Sequence, residues 1–205
     1  MKDEQIRSAI HRKILRHHHA NVDTLVIDEL GLKHGRKRAD IAVINGHLNG
    51  YEIKGDEDSL SRLSGQVEAY SAVFDRAIVV VANRHLRTVQ AILPPWWGVV
   101  VCKEGPRKGV LFETIRRATI NMGVDSFSVA QLLWRKEAVE ILASRGLPPR
   151  VLRSKRSVLY AHLVDLIGSK ELCRLVRERL KTRSSWRHPP RPFVDGDSSR
   201  SVAMS

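Results

Sequence analysis

The sequence predicts an α/β protein: a mixed central sheet flanked by helices, followed by a C-terminal helical annex. Three observations carry this. Apolar spacing alternates between helical and strand periods in the order helix, three strands, helix, strand, helix, strand, strand. The run "AIVVVAN", Ala77 to Asn83, is apolar without a break over a strand's length, as a strand buried on both faces must be. Beyond Asp125 the strand patterns stop and only helical ones follow.

Residues 3 to 18 place Ile6, Ala9, Ile10 and Ile14 at amphipathic helical spacing, which predicts a first helix with a basic outer face. The run His17 to His19 ends it. Consecutive histidines point in different directions on a helix, so they make a poor single metal site and read as a solvated helix terminus. "TLVIDEL", "RADIAVI" and "GYEIKG" supply a three-stranded meander, its second connection being the turn "NGHLNG". A helix is predicted from a Ser59 cap to Phe74, through Leu60, Leu63, Val67 and Tyr70. After "AIVVVAN" come a short helix to Leu93, a rigid "PPWWG" that sets Trp96 and Trp97 over the core, and strands "VVVC" and "GVLFETI". The domain reading is a core over 1–125, a basic helical annex over 126–183 with helices near 128–145, 154–167 and 169–182, and a disordered Ser-, Pro- and Arg-rich tail over 184–205.

No apolar stretch approaches a membrane span and the first residues do not form a secretory signal, so a cytoplasmic location is expected, with no membrane partner. Cys102 and Cys173 lie in no metal or redox spacing and read as small buried apolar residues. Thirty-five Lys and Arg against 22 Asp and Glu give a formal charge of +13. Such an excess favours a polyanion, nucleic acid first, through phosphate contacts and counterion release. In the annex, Arg150, Arg153, Lys155 and Arg156 cluster between two helices and are candidate phosphate contacts.

The chemistry sits in the meander. Charges in a tight apolar hairpin are costly to bury unless paired or bound, yet "RADIAVINGHLNGYEIKG" plants Asp40, Glu52 and Lys54 there. With Asp40 opposite Lys54, the two-residue period puts all three on one face, and the same reasoning across the preceding loop brings Glu29 beside Asp40. Carboxylates about 5 Å apart repel by roughly 3 kcal/mol at an effective dielectric near 20, so such a cluster calls for a divalent cation. Hard oxygen ligands suit Mg²⁺ or Mn²⁺, and an ion of that kind beside an ammonium group is the equipment of phosphodiester hydrolysis.

Asp40 followed on the next strand by "EIK", Glu52 to Lys54, resembles the Asp…Glu-x-Lys signature of the PD-(D/E)XK nuclease superfamily. Gln66 and Tyr70 in "QVEAY" are similar to the Gln-xxx-Tyr motif of its RecB-like and lambda-exonuclease-like branch. Up to about Arg187 the chain also resembles an uncharacterised family of small bacterial and phage proteins of this superfamily, through "ELGL", "RADIAVINGHLNGYEIK", "QVEAYSAVFD" and "PPWWG". The resemblance implies a restriction-endonuclease-like core and a metal-dependent nuclease, DNA being the favoured substrate. In it Asp40 and Glu52 hold Mg²⁺ or Mn²⁺, Lys54 acts on the attacking water, and Gln66 and Tyr70 support the site. Glu29 is the expected auxiliary metal ligand, in competition with Glu4, since the superfamily often adds a glutamate from its first helix. Ala39 stands where the superfamily commonly has proline, and the cysteines of iron-sulfur members have no counterpart, so no such cluster is expected. The rival expectation is a catalytically inactive nuclease fold kept for binding nucleic acid or another partner.

Overall fold

The computed structural model describes residues 1–183; the tail reading over 184–205 lies outside the described residues. Six strands form one sheet in chain order: β1 (Leu25–Leu32), β2 (Lys37–Ile44), β3 (Leu48–Lys54), β4 (Arg76–Ala82), β5 (Gly98–Glu104) and β6 (Val110–Arg116). β1 to β3 pair antiparallel, β3, β4 and β5 run parallel, and β6 returns antiparallel. The sheet is therefore mixed, as expected. The apolar run of β4 lies at its centre, with Val79, Val80 and Val81 fully buried.

Helices cover both faces. On one, Val26, Ile41, Val43, Ile53 and Val80 pack against Ile6, Ala9, Ile10 and Leu15 of the N-terminal segment. On the other, Ile27, Ala42, Ile44, Val79 and Val99 meet α3 (Leu63–Ser71), and the same core continues into the C-terminal helices through Val129, Leu159, Leu163 and Val176. α4 (Leu86–Ile92) links β4 to β5. The annex comprises α5 (Ser126–Ala130), α6 (Arg135–Ser144), α7 (Pro149–Leu152), α8 (Arg156–Leu166) and α9 (Ser169–Thr182).

Several boundaries differ from the expected ones, each for a local reason. The first helix is not continuous: α1 (Asp3–Ala9) opens into a π turn over Ile10–Ile14 and restarts as α2 (Arg16–Ala20). The amide of Leu15 bonds the carbonyl of Ile10 at 2.9 Å, five residues back. That wider turn stacks Ile10 and Leu15, which α spacing would set far apart, onto the same buried face. α3 starts at Leu63, not at Ser59, because the Ser59 hydroxyl bonds Ser61 instead of capping a helix. The predicted helix over 128–145 is two: Asp125 caps α5 by accepting from Phe127 and Ser128, and the chain turns at Leu132 and Leu133 before α6.

The hairpin register is corrected as well. The pairs are Ile44↔Leu48, Ala42↔Gly50 and Ile41↔Tyr51, so Asn45 to His47 form the turn, with Gly46 at φ +97°, and Asp40 falls level with Glu52 instead of Lys54. Gly50 explains the shift. A Cβ on it would meet the Phe74 ring at 2.7 Å, so this glycine serves the strand and its packing, not the turn. A slip of two residues preserves the side-chain face of β3, so Glu52 and Lys54 stay together on it.

Candidate active site

Asp40 sits where the β2–β3 ladder ends. The last backbone pair is Ile41↔Tyr51, and beyond it the side chain takes over: Asp40 Oδ2 accepts from the Ile53 amide at 2.7 Å. Tyr70, fully buried on α3, wedges its hydroxyl into the gap, accepting from the Asp40 amide at 3.1 Å and donating to the Tyr51 carbonyl at 3.0 Å. Trp97 packs behind it, with ring centroids 5.3 Å apart, which gives "PPWWG" its covering role. Tyr70 thus holds two strands apart at the site. Tyr70→Phe would leave a buried donor and a buried acceptor unpaired, and is expected to lower stability by about 1–3 kcal/mol, read by urea unfolding; an unchanged midpoint would refute the wedge.

Glu52 and Lys54 point from β3 toward α3, while Ile53 between them enters the opposite core. Glu52 is fully buried and Lys54 nearly so. Lys54 Nζ donates to Glu52 Oε1 at 2.6 Å, and the Gln66 amide nitrogen donates to the same oxygen. Among the described residues Glu52 Oε2 and Gln66 Oε1 are left buried with no hydrogen-bond partner. The geometry therefore brings together five predicted residues: Asp40, Glu52, Lys54, Gln66 and Tyr70.

Glu29 is where the strand reasoning put it, flanked by the pairs Asp28↔Ile41 and Leu30↔Ala39 and so opposite Asp40. Glu29 adopts φ +58°, and face alternation breaks there and at Asp40, since Ile27, Leu30, Ala39 and Ala42 all join the core on the α3 side. A non-glycine residue in this region costs about 1–2 kcal/mol, strain that folds keep at working positions. The Glu29 carboxylate is held by two arginines, Oε2 by Arg38 at 2.9 Å and Oε1 by Arg7 at 3.3 Å. Glu4 is exposed on α1. Among the described residues no three His, Cys, Asp or Glu side chains form a group able to hold one ion, and the Glu29 carboxylate, the expected auxiliary ligand, is paired here with the two arginines.

Arg7 is the residue the sequence reading missed. From α1 it donates to the Asp40 carbonyl at 2.6 Å and to Asp40 Oδ1 at 3.3 Å, with Asp3 steadying its Nε at 3.2 Å. The signal was a basic residue directly after Ile6 on the sheet-facing side of an amphipathic helix. His17 to His19 are not merely a solvated terminus either. α2 folds back so that His19 Nε2 lies 2.9 Å from His11 Nδ1, whose Nε2 is 3.0 Å from Asp28 Oδ1. In the annex, Arg150, Arg153, Lys155 and Arg156 are exposed around the start of α8.

Burial, and next the neighbouring Glu52 charge, push the Asp40 carboxyl up to about 7. An acid with a raised folded-state pKa holds its proton more tightly when folded. Its contribution to stability is therefore full below its ordinary value near 3.9 and is lost as pH climbs to about 7. In EDTA, the wild type is expected to lose stability relative to Asp40→Asn across that window. Parallel pH profiles in urea unfolding would contradict this.

A family model described as bacteriophage P4 protein cII matches residues 1–191. The chain belongs to the bacteriophage P4 cII family. Within it, protein cII of enterobacteria phage P4 is 26% identical over 156 residues, which are 76% of this chain and 56% of that protein. The match thus spans little more than half the length of the phage P4 relative. Among solved structures, the SPO1766 protein of unknown function from Silicibacter pomeroyi aligns over 57% of this chain and 70% of its own, at 18% identity and a TM-score of 0.39, too slight a likeness to bear on fold or function. Among the described residues of this cII family member, no helix is long and apolar enough to cross a membrane.

Proposed function

We propose that this cII family member is a metal-dependent nuclease, hydrolysing phosphodiester bonds with DNA favoured, on a restriction-endonuclease-like core. One observation carries the reading: Glu52 Oε2 and Gln66 Oε1, two buried acceptor oxygens with nothing to accept from among the described residues, beside the half-buried carboxyl of Asp40. Buried acceptors without partners are rare and costly, and a hard divalent cation satisfies several at once. The donor set fits Mg²⁺ or Mn²⁺, held by Asp40 and Glu52 with the Gln66 carbonyl as neighbour. When bound, such an ion polarises a phosphoryl group.

The chain's own residues have distinct tasks. Gln66 and Tyr70 fix the carboxylates from α3, Gln66 by its bond to Glu52 and Tyr70 through the backbone of Asp40. Lys54 sets a nearly buried positive charge beside Glu52, where it would offset negative charge developing on the phosphoryl oxygens. Glu29 anchors Arg7, and Arg7 in turn anchors Asp40.

A second reading has its own observation. Arg7 and Lys54 already pair with Asp40 and Glu52, so the pocket is charge-compensated as it stands, which suits a nuclease fold retained for binding alone. Incubation of the purified protein with linear, circular, single-stranded and structured DNA and RNA in Mg²⁺, Mn²⁺ and EDTA separates the two. Cleavage that EDTA abolishes supports the nuclease; salt-sensitive binding with no cleavage in either metal supports the binder.

A further inference from the structure

We infer that the cleft between the β1–β2 connection and the annex is a seat for an unpaired base of single-stranded nucleic acid, with its phosphate on Arg156. The inference rests on the nucleic-acid reading above and names where the strand leaves the acidic pocket.

The cleft has a volume of about 310 Å³ and is lined by Leu30, His34, Trp134, Arg156, Tyr160 and Arg183 among others, within the range of small-ligand sites. Its position follows from the sheet: Leu30 is the residue after Glu29, so the opening lies one step along β1 from Asp40's neighbour.

Its walls have the chemistry of a stacking platform. Trp134 is 50% exposed, unusual for an indole at the start of a helix packed on the core. Arg183 lies over its ring at 4.2 Å, itself locked to Glu137 at 2.7 and 2.6 Å. One face of the indole is thereby fixed and the side chain stays open to solvent, which is the pre-oriented surface a base stacks on. Opposite, His34 stacks on Tyr160 with centroids 5.5 Å apart. That contact depends on two consecutive left-handed non-glycine residues, Lys33 at φ 47° and His34 at φ 58°. Strain of this kind persists where a side chain must be aimed.

The charge is complementary. The annex, residues 126–183, carries thirteen Lys and Arg against five Asp and Glu, so it holds most of the chain's +13 excess. Arg156 opens α8 at the lip of the cleft, with Arg150, Arg153 and Lys155 beside it, all exposed. Base stacking plus unspent positive charge selects an unpaired strand over a duplex, whose bases are already stacked on one another.

The test is fluorescence anisotropy of the full-length protein in EDTA with labelled oligo(dT) and with a duplex of equal length. Trp134→Ala is expected to weaken oligo(dT) binding by about 5- to 100-fold, the range for loss of one stacked base, and Arg156→Ala to weaken it several-fold through loss of a phosphate contact, with the duplex weakened much less in both. Trp134→Phe should restore most of the loss. Because Arg156 is exposed, its variant tests the idea even if Trp134→Ala fails to fold. Unchanged oligo(dT) affinity in the Arg156 variant, equal weakening toward both nucleic acids, or competition by polyglutamate as effective as by oligo(dT) would each overturn the inference. Cleavage with binding indifferent to Trp134 and Arg156 would sink this inference alone; binding that needs both residues, with no cleavage in Mg²⁺ or Mn²⁺, would sink the nuclease alone.

Discussion

Asp40→Ala is expected to lower Mg²⁺-dependent cleavage by about 10³-fold or more, the scale of losing a preorganised charged group from a reacting centre. The expectation comes from position. Asp40 is level with Glu52 at the point where β2 and β3 part, and its side chain is the one that closes the gap by accepting from Ile53. Removing it takes away one of the two neighbouring carboxylates and leaves Glu52, held by Lys54 and Gln66, as the other. Lys54→Ala should have a comparable effect for the opposite reason, loss of the ammonium at 2.6 Å from Glu52. Two controls keep the result interpretable. Asp40→Asn retains an oxygen for the Ile53 amide and so tests charge apart from folding. Glu29→Gln should keep activity within about tenfold, since Glu29 meets arginines and one weakened charge contact is worth about 1 kcal/mol. Full activity in purified Asp40→Asn or Lys54→Ala, measured on whichever substrate the wild type cuts, would end the nuclease proposal.

Glu137→Ala is expected to cost about 3–5 kcal/mol of stability, the penalty for stranding one partner of a buried ion pair. Glu137 and Arg183 are both 8% exposed and meet through two bonds, Nε to Oε1 at 2.7 Å and Nη2 to Oε2 at 2.6 Å. The pair is built into the annex on both sides. Glu137 Oε2 also accepts from the Trp134 amide at the start of α6, and Arg183 Nη2 donates to the Leu132 carbonyl. Loss of the carboxylate therefore uncaps α6 and leaves a guanidinium buried beneath Trp134. Urea unfolding should show the drop; a midpoint close to wild type would mean that water reaches Arg183 readily. Replacing both partners by apolar residues of similar volume should recover much of it.

What was legible in the sequence follows from which interactions are local. Strand faces and the central β4 could be read because their signal is periodic burial, and a period survives small errors of register. The shared face of Glu52 and Lys54 is legible for that reason: the predicted pairing is off by two residues, which moves partners along the strand and leaves the β3 face intact, whereas Asp40 reaches them from beyond the last backbone pair, where the β2 alternation breaks. What escaped is what depends on a distant segment or a single unusual torsion. Nothing near Arg7 announces that it will reach Asp40, 33 residues on. Nothing in "DEL" announces that Glu29 will turn left-handed and face two arginines. The π turn was hidden because Ile10 and Leu15 look misplaced under an α period and become neighbours only under a wider one. Trp134 was passed over because its meaning lies in Arg183 and Tyr160, which reach the same cleft from later helices.

The Tyr70 hydroxyl sits between two strands that would otherwise zip shut. The notch beside Asp40 is thus a product of folding and not of ligand arrival: the work of prying the backbone apart is done once, when the helix docks. On the nuclease proposal, a divalent ion would meet a seam already open, so its capture should show a single fast phase, with no slow step for rearranging the sheet.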